Sequence, residues 1–327
     1  MTLTVPPEAP PDSARRALLP YLVVAWAVGY GALRLWWAVA GAPEFPPLGT
    51  DLVVFTGWWA VALCAAGAAV AGGLATARSW HPALAVTGWA VCAAIVLSCA
   101  LLLLDLVGFL ILAPTDGFTV AAFLSRVGCF TGAVLLNTAI VGHRRRYRGD
   151  CRDCGRTGPA ARRGGDAAVP GWARAAAYAA AAGCLLRLAT QLAVGFGDMP
   201  LAKGASMVAF EVGFLLAGVL LPLALVHSWG RIWPRWVPLL AGRRIPRAVL
   251  LVPAAVFSVG LIVYFGVGIA DLTVETATGT FDPGDGRFPL AFFWVAEPAY
   301  WLWGRGLGLA ALSFHQRTRR PCRTCGR

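Results

Sequence analysis

The chain has 327 residues, 58% of them hydrophobic and only 13% charged. A soluble domain carries about 25% charged residues, so this composition excludes a disordered or collagen-like chain and a small disulfide scaffold, and it argues against a soluble two-domain enzyme. Lys and Arg outnumber Asp and Glu by 28 to 16, a net charge of +12, and the placement of that surplus decides between nucleic acid and a membrane as its partner.

A short N-terminal tail, residues 1–17, comes first. Eight apolar stretches follow, at 18–41, 52–76, 83–111, 118–142, 173–196, 205–227, 247–270 and 288–314. Each reaches the length of about 20 residues that a helix needs to cross about 30 Å of hydrocarbon. They do not alternate and are about twice as long as the strands of a membrane barrel. The expected fold class is therefore all-α, a polytopic transmembrane helical bundle of about eight helices. The first stretch is too long for the apolar core of a signal peptide and carries Arg34, so it is expected to stay as a helix.

The basic residues orient this bundle. Twenty-two of the 28 fall on the side of the N-terminal tail: in that tail, in the second, central and sixth loops with their flanks, and in the C-terminal tail. The other side holds only Lys203 and Arg287, and Arg34, Arg126, Arg187 and Arg305 lie within helices. Cytoplasmic loops retain the positive charge. The expected location is the inner (plasma) membrane, with both termini cytoplasmic and the Arg-rich central loop against anionic lipid headgroups rather than nucleic acid.

The two halves of the chain echo each other. Ala32-Leu33-Arg34-Leu35 in the first helix corresponds to Leu185-Leu186-Arg187-Leu188 in the fifth, and Ser79-Trp80 to Ser228-Trp229. His143 and His315 each precede a basic run, and each half then ends in one pattern, Cys151-Arg152-Asp153-Cys154-Gly155-Arg156 and Cys322-Arg323-Thr324-Cys325-Gly326-Arg327. The reading is two tandem four-helix repeats, 18–156 and 173–327, joined by a cytoplasmic linker at 157–172, each repeat ending in a C-x-x-C-G-R knuckle. Four helices is an even number, so the copies share one orientation, with their axis along the membrane normal. The Ala, Gly and Arg-rich usage, with the stretch Leu33-Arg34-Leu35-Trp36-Trp37-Ala38-Val39-Ala40-Gly41, resembles multi-pass membrane proteins of high-GC actinobacteria and a small four-helix family of unknown function. That resemblance implies a membrane location and carries over no functional residues.

Of the nine cysteines, Cys64, Cys92, Cys99, Cys129 and Cys184 lie in apolar helices and read as small core residues. Cys151, Cys154, Cys322 and Cys325 form the two C-x-x-C pairs on the cytoplasmic side, where thiols stay reduced. Two such pairs make the tetrahedral thiolate set of a structural zinc site. Gly155 and Gly326 after the second cysteine of each pair permit a positive φ, which lets backbone N–H groups face sulfur. Arg152, Arg156, Arg323 and Arg327 offset the surplus thiolate charge. The pairs are 171 residues apart, but the duplication is expected to bring both knuckles under the bundle, where zinc clamps the two halves. The competing reading is a thiol redox pair with pKa values lowered by arginine. Haem held by His81, His143, His227 or His315 is a weaker alternative, because these sit at helix ends.

Ionisable residues inside a bilayer are costly and face the bundle interior. Counted from the outer helix ends, Arg34, Arg126, Arg187 and Glu297 lie about eight residues deep and Glu211 about six, roughly 9–12 Å below the outer surface at 1.5 Å per residue. As a purely structural layer these form ion pairs, Arg187 with Glu211 and Arg34 or Arg126 with Glu297. As a site, three Arg against two Glu leave one guanidinium over for an anionic or amphiphilic ligand. Asp105 and the outer-loop acids Asp271, Glu275, Asp282 and Asp285 read as solvated charges rather than cation ligands, and Gly304-Arg305-Gly306-Leu307-Gly308 as close helix packing. No nucleophile, dinucleotide or metalloprotease motif stands in a fitting context, so an enzyme is not expected. The leading expectation is a membrane protein that binds or moves a small anionic or amphiphilic ligand. The alternatives are a scaffold recruiting cytosolic partners through the knuckles and the Arg-rich loop, and a membrane redox protein.

Overall fold

Nine α-helices and no strand make up the described residues of the computed structural model, which are 11–42, 57–106, 120–151, 154–156, 168–195, 205–233, 235, 241–282, 288–319, 322 and 325. They are α1 (Pro11–Ala40), α2 (Trp58–Thr76), α3 (Pro82–Ser98), α4 (Val120–Tyr147), α5 (Gly171–Val194), α6 (Ala205–Leu215), α7 (Leu221–Val226), α8 (Arg247–Thr278) and α9 (Leu290–Thr318). α6 passes into α7 through a π turn at Leu216–Leu220. Pro222 explains the widening: it has no N–H to donate to Gly218, and its ring would press on that carbonyl in an α turn.

Five helical segments are long and apolar enough to cross a membrane: Leu18–Ala40, Trp58–Thr76, Val120–Tyr147, Gly171–Val194 and Arg247–Thr278. Their side chains are arranged as in a membrane protein. On α5 the buried face is Ala173, Ala176, Ala177, Ala180, Ala181, Gly183 and Cys184, while Trp172, Leu185, Leu186 and Leu192 are exposed. In water such an apolar exterior would aggregate. In lipid, small residues inside let backbones approach, and large apolar ones outside meet the acyl chains.

Contacts divide the chain into two units. The first comprises Met1–Ala100, Thr119–Ala161 and Pro321–Arg327. Within it α1 packs on α2 and α4, and α3 packs on α2 and α4, so four helices close a ring. Trp26 of α1 fills the space left by Gly132 of α4, and its indole N–H donates to the Gly128 carbonyl at 2.8 Å. The second comprises Leu101–Phe118 and Arg162–Arg320. Within it α9 packs on α5 and α8, α5 on the π turn and α7, and α7 on α8. The Gly304-x-Gly306-x-Gly308 run is close packing, as its sequence implies. Gly304 and Gly308 meet Leu261, Ile262 and Ser258 of α8, while Gly306 meets the Ala176–Ala180 backbone of α5.

Boundaries depart from the sequence expectation: α1 begins at Pro11, inside the stretch expected as tail, and α4 runs past 142 to Tyr147. The stretch 83–111 is not one helix: α3 stops at Ser98, and turns occupy Cys99–Leu101. The Ser98 hydroxyl donates to Ala94 O at 2.9 Å and the Cys99 thiol to Val96 O at 3.3 Å, back-bonds that compete with helix continuation. Conversely α8 runs past 270 to Thr278, where Gly279 at φ 69° caps it. Asp271 and Glu275 are therefore helical residues, not loop ones.

Candidate metal centre

Four sulfurs meet in the first unit. The Sγ atoms of Cys151, Cys154, Cys322 and Cys325 all lie within 4.8 Å of one another. Two of the separations run between the knuckles, Cys151–Cys322 at 3.9 Å and Cys154–Cys325 at 3.5 Å. A tetrahedral ion with Zn–S bonds of about 2.3 Å places its sulfurs about 3.8 Å apart. The cluster thus has the spacing of a four-thiolate shell, and no disulfide joins these cysteines. It fits a metal by its donor chemistry as well, because four thiolates are the donor set of a structural zinc site.

The local chain explains how the first knuckle is built. α4 ends at Tyr147, and Gly149 at φ 70° turns the chain out of the helix. Gly155, at φ 68°, closes the loop by donating its N–H to Cys151 O at 2.8 Å, and the Cys151 N–H donates to Arg156 O at 3.1 Å. The positive φ expected of Gly155 is present, but its N–H serves a carbonyl rather than a sulfur. A β-carbon there would also strike the Arg145 guanidinium, 2.6 Å from Nε. Gly326, Arg152, Arg323 and Arg327 lie outside the described residues.

Composition alone did not mark two supports of this loop. Asp150, one residue before the first ligand, is buried, and its Oδ2 lies 3.7 Å from Arg144 Nε. Arg145 covers Gly155. Both sit in the basic run that reads only as a charge patch in the sequence.

The five ionisable residues expected to share one layer divide between the two units. In the second, Arg187 is 4% exposed and its Nη1 donates to both carboxylate oxygens of Glu211 at 2.7 Å. Its guanidinium lies over the rings of Phe214 and Tyr300, 5.3 and 5.4 Å from their centroids. This is the ion pair the structural reading expects. Glu297 does not pair with Arg34 or Arg126. It lies on α9 against Gly268 of α8, near Tyr264, Asp271 and Glu275, and its Oε2 is buried without a hydrogen-bond partner among the described residues. Arg305, exposed, stacks on Trp301 at 4.4 Å.

Arg34 and Arg126, 8% and 6% exposed, line one cavity of the first unit with Trp26, Tyr30, Ser98 and Ser125. Its volume is about 20 Å³, and none of its lining residues among those described is acidic. Tyr30 stacks on Trp26 and its hydroxyl lies 3.2 Å from that of Ser125, so the wall is fixed from α1 and α4 together.

The histidines are taken up in ordinary contacts. His81 meets the Ser79 hydroxyl at 3.0 Å, His143 the Ser79 carbonyl at 3.2 Å and His227 the Tyr178 hydroxyl at 3.0 Å. His315 accepts from Arg319 at 3.0 Å. Burial and the guanidiniums of Arg319 and Arg247 hold His315 below the usual imidazole range, consistent with a neutral acceptor.

Compared with protein-family models, with curated proteins and with solved structures, the chain matches none of them.

Proposed function

We propose that the chain is an eight-helix membrane protein of two tandem four-helix repeats that binds a small inorganic anion in its first repeat. Its C-terminal end is held to that repeat by one structural zinc. The observation that carries the anion site is the pair of guanidiniums, Arg34 and Arg126, buried on one cavity beside the hydroxyls of Tyr30, Ser98 and Ser125. The planar donor fork of a guanidinium suits an anion. A cavity of about 20 Å³ holds an occupant about the size of one water molecule. A halide has that size. Arg187 and Glu211 neutralise each other and contribute packing rather than recognition.

Three observations support the rest of this reading. Each unit closes a ring of helices in the same chain order, as a duplication requires. The last seven residues cluster with the first unit, which brings the second knuckle to the first. The basic residues bounding the helices favour cytoplasmic termini and a plasma-membrane location. Zinc suits four free thiols from both knuckles gathered within 4.8 Å of one another.

Bromide titration of the purified full-length protein in detergent, followed by the line width of the ⁸¹Br NMR signal, tests the anion site. Wild type broadens the signal saturably. Arg126→Gln weakens binding by tenfold or more, and the milder Ser125→Ala weakens it less. No saturable broadening by wild type, or equal broadening by all three, overturns the site.

A further inference from the structure

The segment between α7 and α8 leaves α-helix after Val226. It starts at His227 and ends at Pro246, so both ends are fixed to apolar helices. A single turn of 3₁₀ helix, Ser228–Arg231, leads into a short antiparallel pairing. Trp233 N–H donates to Arg243 O at 2.9 Å, Gly242 N–H to Trp233 O at 3.1 Å and Ile245 N–H to Arg231 O at 2.9 Å. This pattern makes Ile232 and Arg244 a bridge pair of the non-hydrogen-bonded type. In such pairs the Cα atoms approach to about 4.5 Å and both side chains leave on the same face. An apolar side chain and a guanidinium thus stand side by side, with backbone groups on both sides of them hydrogen-bonded.

The exposure of this face is selective. Ile232 is 50% and Trp229 49% exposed, and Arg235, Arg243 and Arg244 are exposed as well. Trp229 lies parallel to His227, with ring centroids 6.5 Å apart and planes 10° apart. The neighbouring cations are used elsewhere. Arg247 donates to the Thr318 hydroxyl and to His315 O, and Arg317 to Leu225 O, so these two tie helix ends together. Among the described residues, the exposed guanidiniums of Arg235, Arg243 and Arg244 thus share this segment with an exposed indole and an exposed isoleucine.

We infer that this hairpin docks the headgroups of anionic phospholipids in the leaflet it faces, with Arg235, Arg243 and Arg244 against the phosphates and Trp229 and Ile232 at the acyl boundary. Indoles sit at the headgroup level. Guanidinium forks match phosphate oxygens. An exposed isoleucine beside a guanidinium is costly in water and at rest where lipid begins. The inference rests on α7 and α8 ending at a bilayer surface, and it is independent of the anion cavity and of the metal.

Native mass spectrometry of the full-length protein, released from detergent micelles doped with phosphatidylglycerol or phosphatidylcholine, reads this directly. Wild type retains phosphatidylglycerol in preference to phosphatidylcholine. The triple variant Arg235→Gln, Arg243→Gln, Arg244→Gln weakens phosphatidylglycerol binding about a hundredfold, the product of roughly fivefold per cation at an anionic surface. The matching Lys variant keeps most of the binding, since the surface term reads charge. Equal retention by wild type and the Gln variant, or no preference between the two lipids, overturns the docking surface. A chain that stays monodisperse without detergent instead overturns the membrane reading on which it rests.

Discussion

Glu211→Gln is the most discriminating change in the second unit. Arg187 is 4% exposed and the Glu211 side chain 13%, and one nitrogen serves both carboxylate oxygens at 2.7 Å. At that distance and an effective dielectric of about 20, the attraction is about 6 kcal/mol. A glutamine keeps one acceptor, and a hydrogen bond to a charged group returns about 1.5–3 kcal/mol. The variant should therefore lose about 3–5 kcal/mol, the usual cost of orphaning a buried charge. The stacking on Phe214 and Tyr300 survives the substitution and does not enter the difference. Replacing both partners, Arg187→Met with Glu211→Leu, should return the stability to within about 2 kcal/mol of wild type, because no charge is then left buried. Unfolding by SDS titration in mixed micelles measures all three. A Glu211→Gln protein within about 1 kcal/mol of wild type would refute the reasoning and release Arg187 as a ligand-binding group.

Glycine substitutions separate packing from propensity. A β-carbon at Gly183 would sit 2.5 Å from the Ala299 carbonyl of α9, which cannot yield, so Gly183→Ala should lower the melting temperature by the equivalent of about 1–3 kcal/mol. Gly72 has nothing within 4 Å of such an atom, and Gly72→Ala in α2 should be neutral or stabilise by up to about 1 kcal/mol in the same assay. Metal binding needs thiolates, so protons compete with zinc. Acidification should release zinc to a colorimetric chelator, and raising the pH should restore binding. Gly155→Ala should weaken zinc retention in the same assay, since it imposes a β-carbon at φ 68° and displaces Arg145.

The parts of the molecule that depend on local pattern were legible beforehand. The hexapeptide repeated at Cys151 and Cys322 announces a shared centre, because thiols at that spacing converge on one ion wherever the knuckles meet. The Gly304–Gly308 run announces close packing, because only glycine lets two backbones approach on both faces of α9. Arg187 and Glu211 were paired by depth alone, as their positions on consecutive apolar stretches require. Other features depend on which helix faces which. A count along the apolar stretches puts Glu297 with Arg34 and Arg126, yet it faces α8 and belongs to the other unit, a fact of tertiary neighbours that no depth count contains. The end of α3 at Ser98 turns on two side-chain back-bonds within an apolar run that still reads as helix. Asp150 and Arg145 were hidden inside a basic stretch whose charge, rather than its geometry, draws the eye.

Metal content is the most direct test of the four-cysteine centre. Inductively coupled plasma mass spectrometry of the purified full-length protein should find one zinc per chain, with X-ray absorption giving four sulfur neighbours at about 2.3 Å. The double variant Cys322→Ser, Cys325→Ser should lose that metal while leaving the first knuckle unaltered in sequence. A metal-free wild type with four titratable thiols, two zinc ions per chain, or full zinc retention by the double variant would each contradict a single centre built from both C-x-x-C pairs.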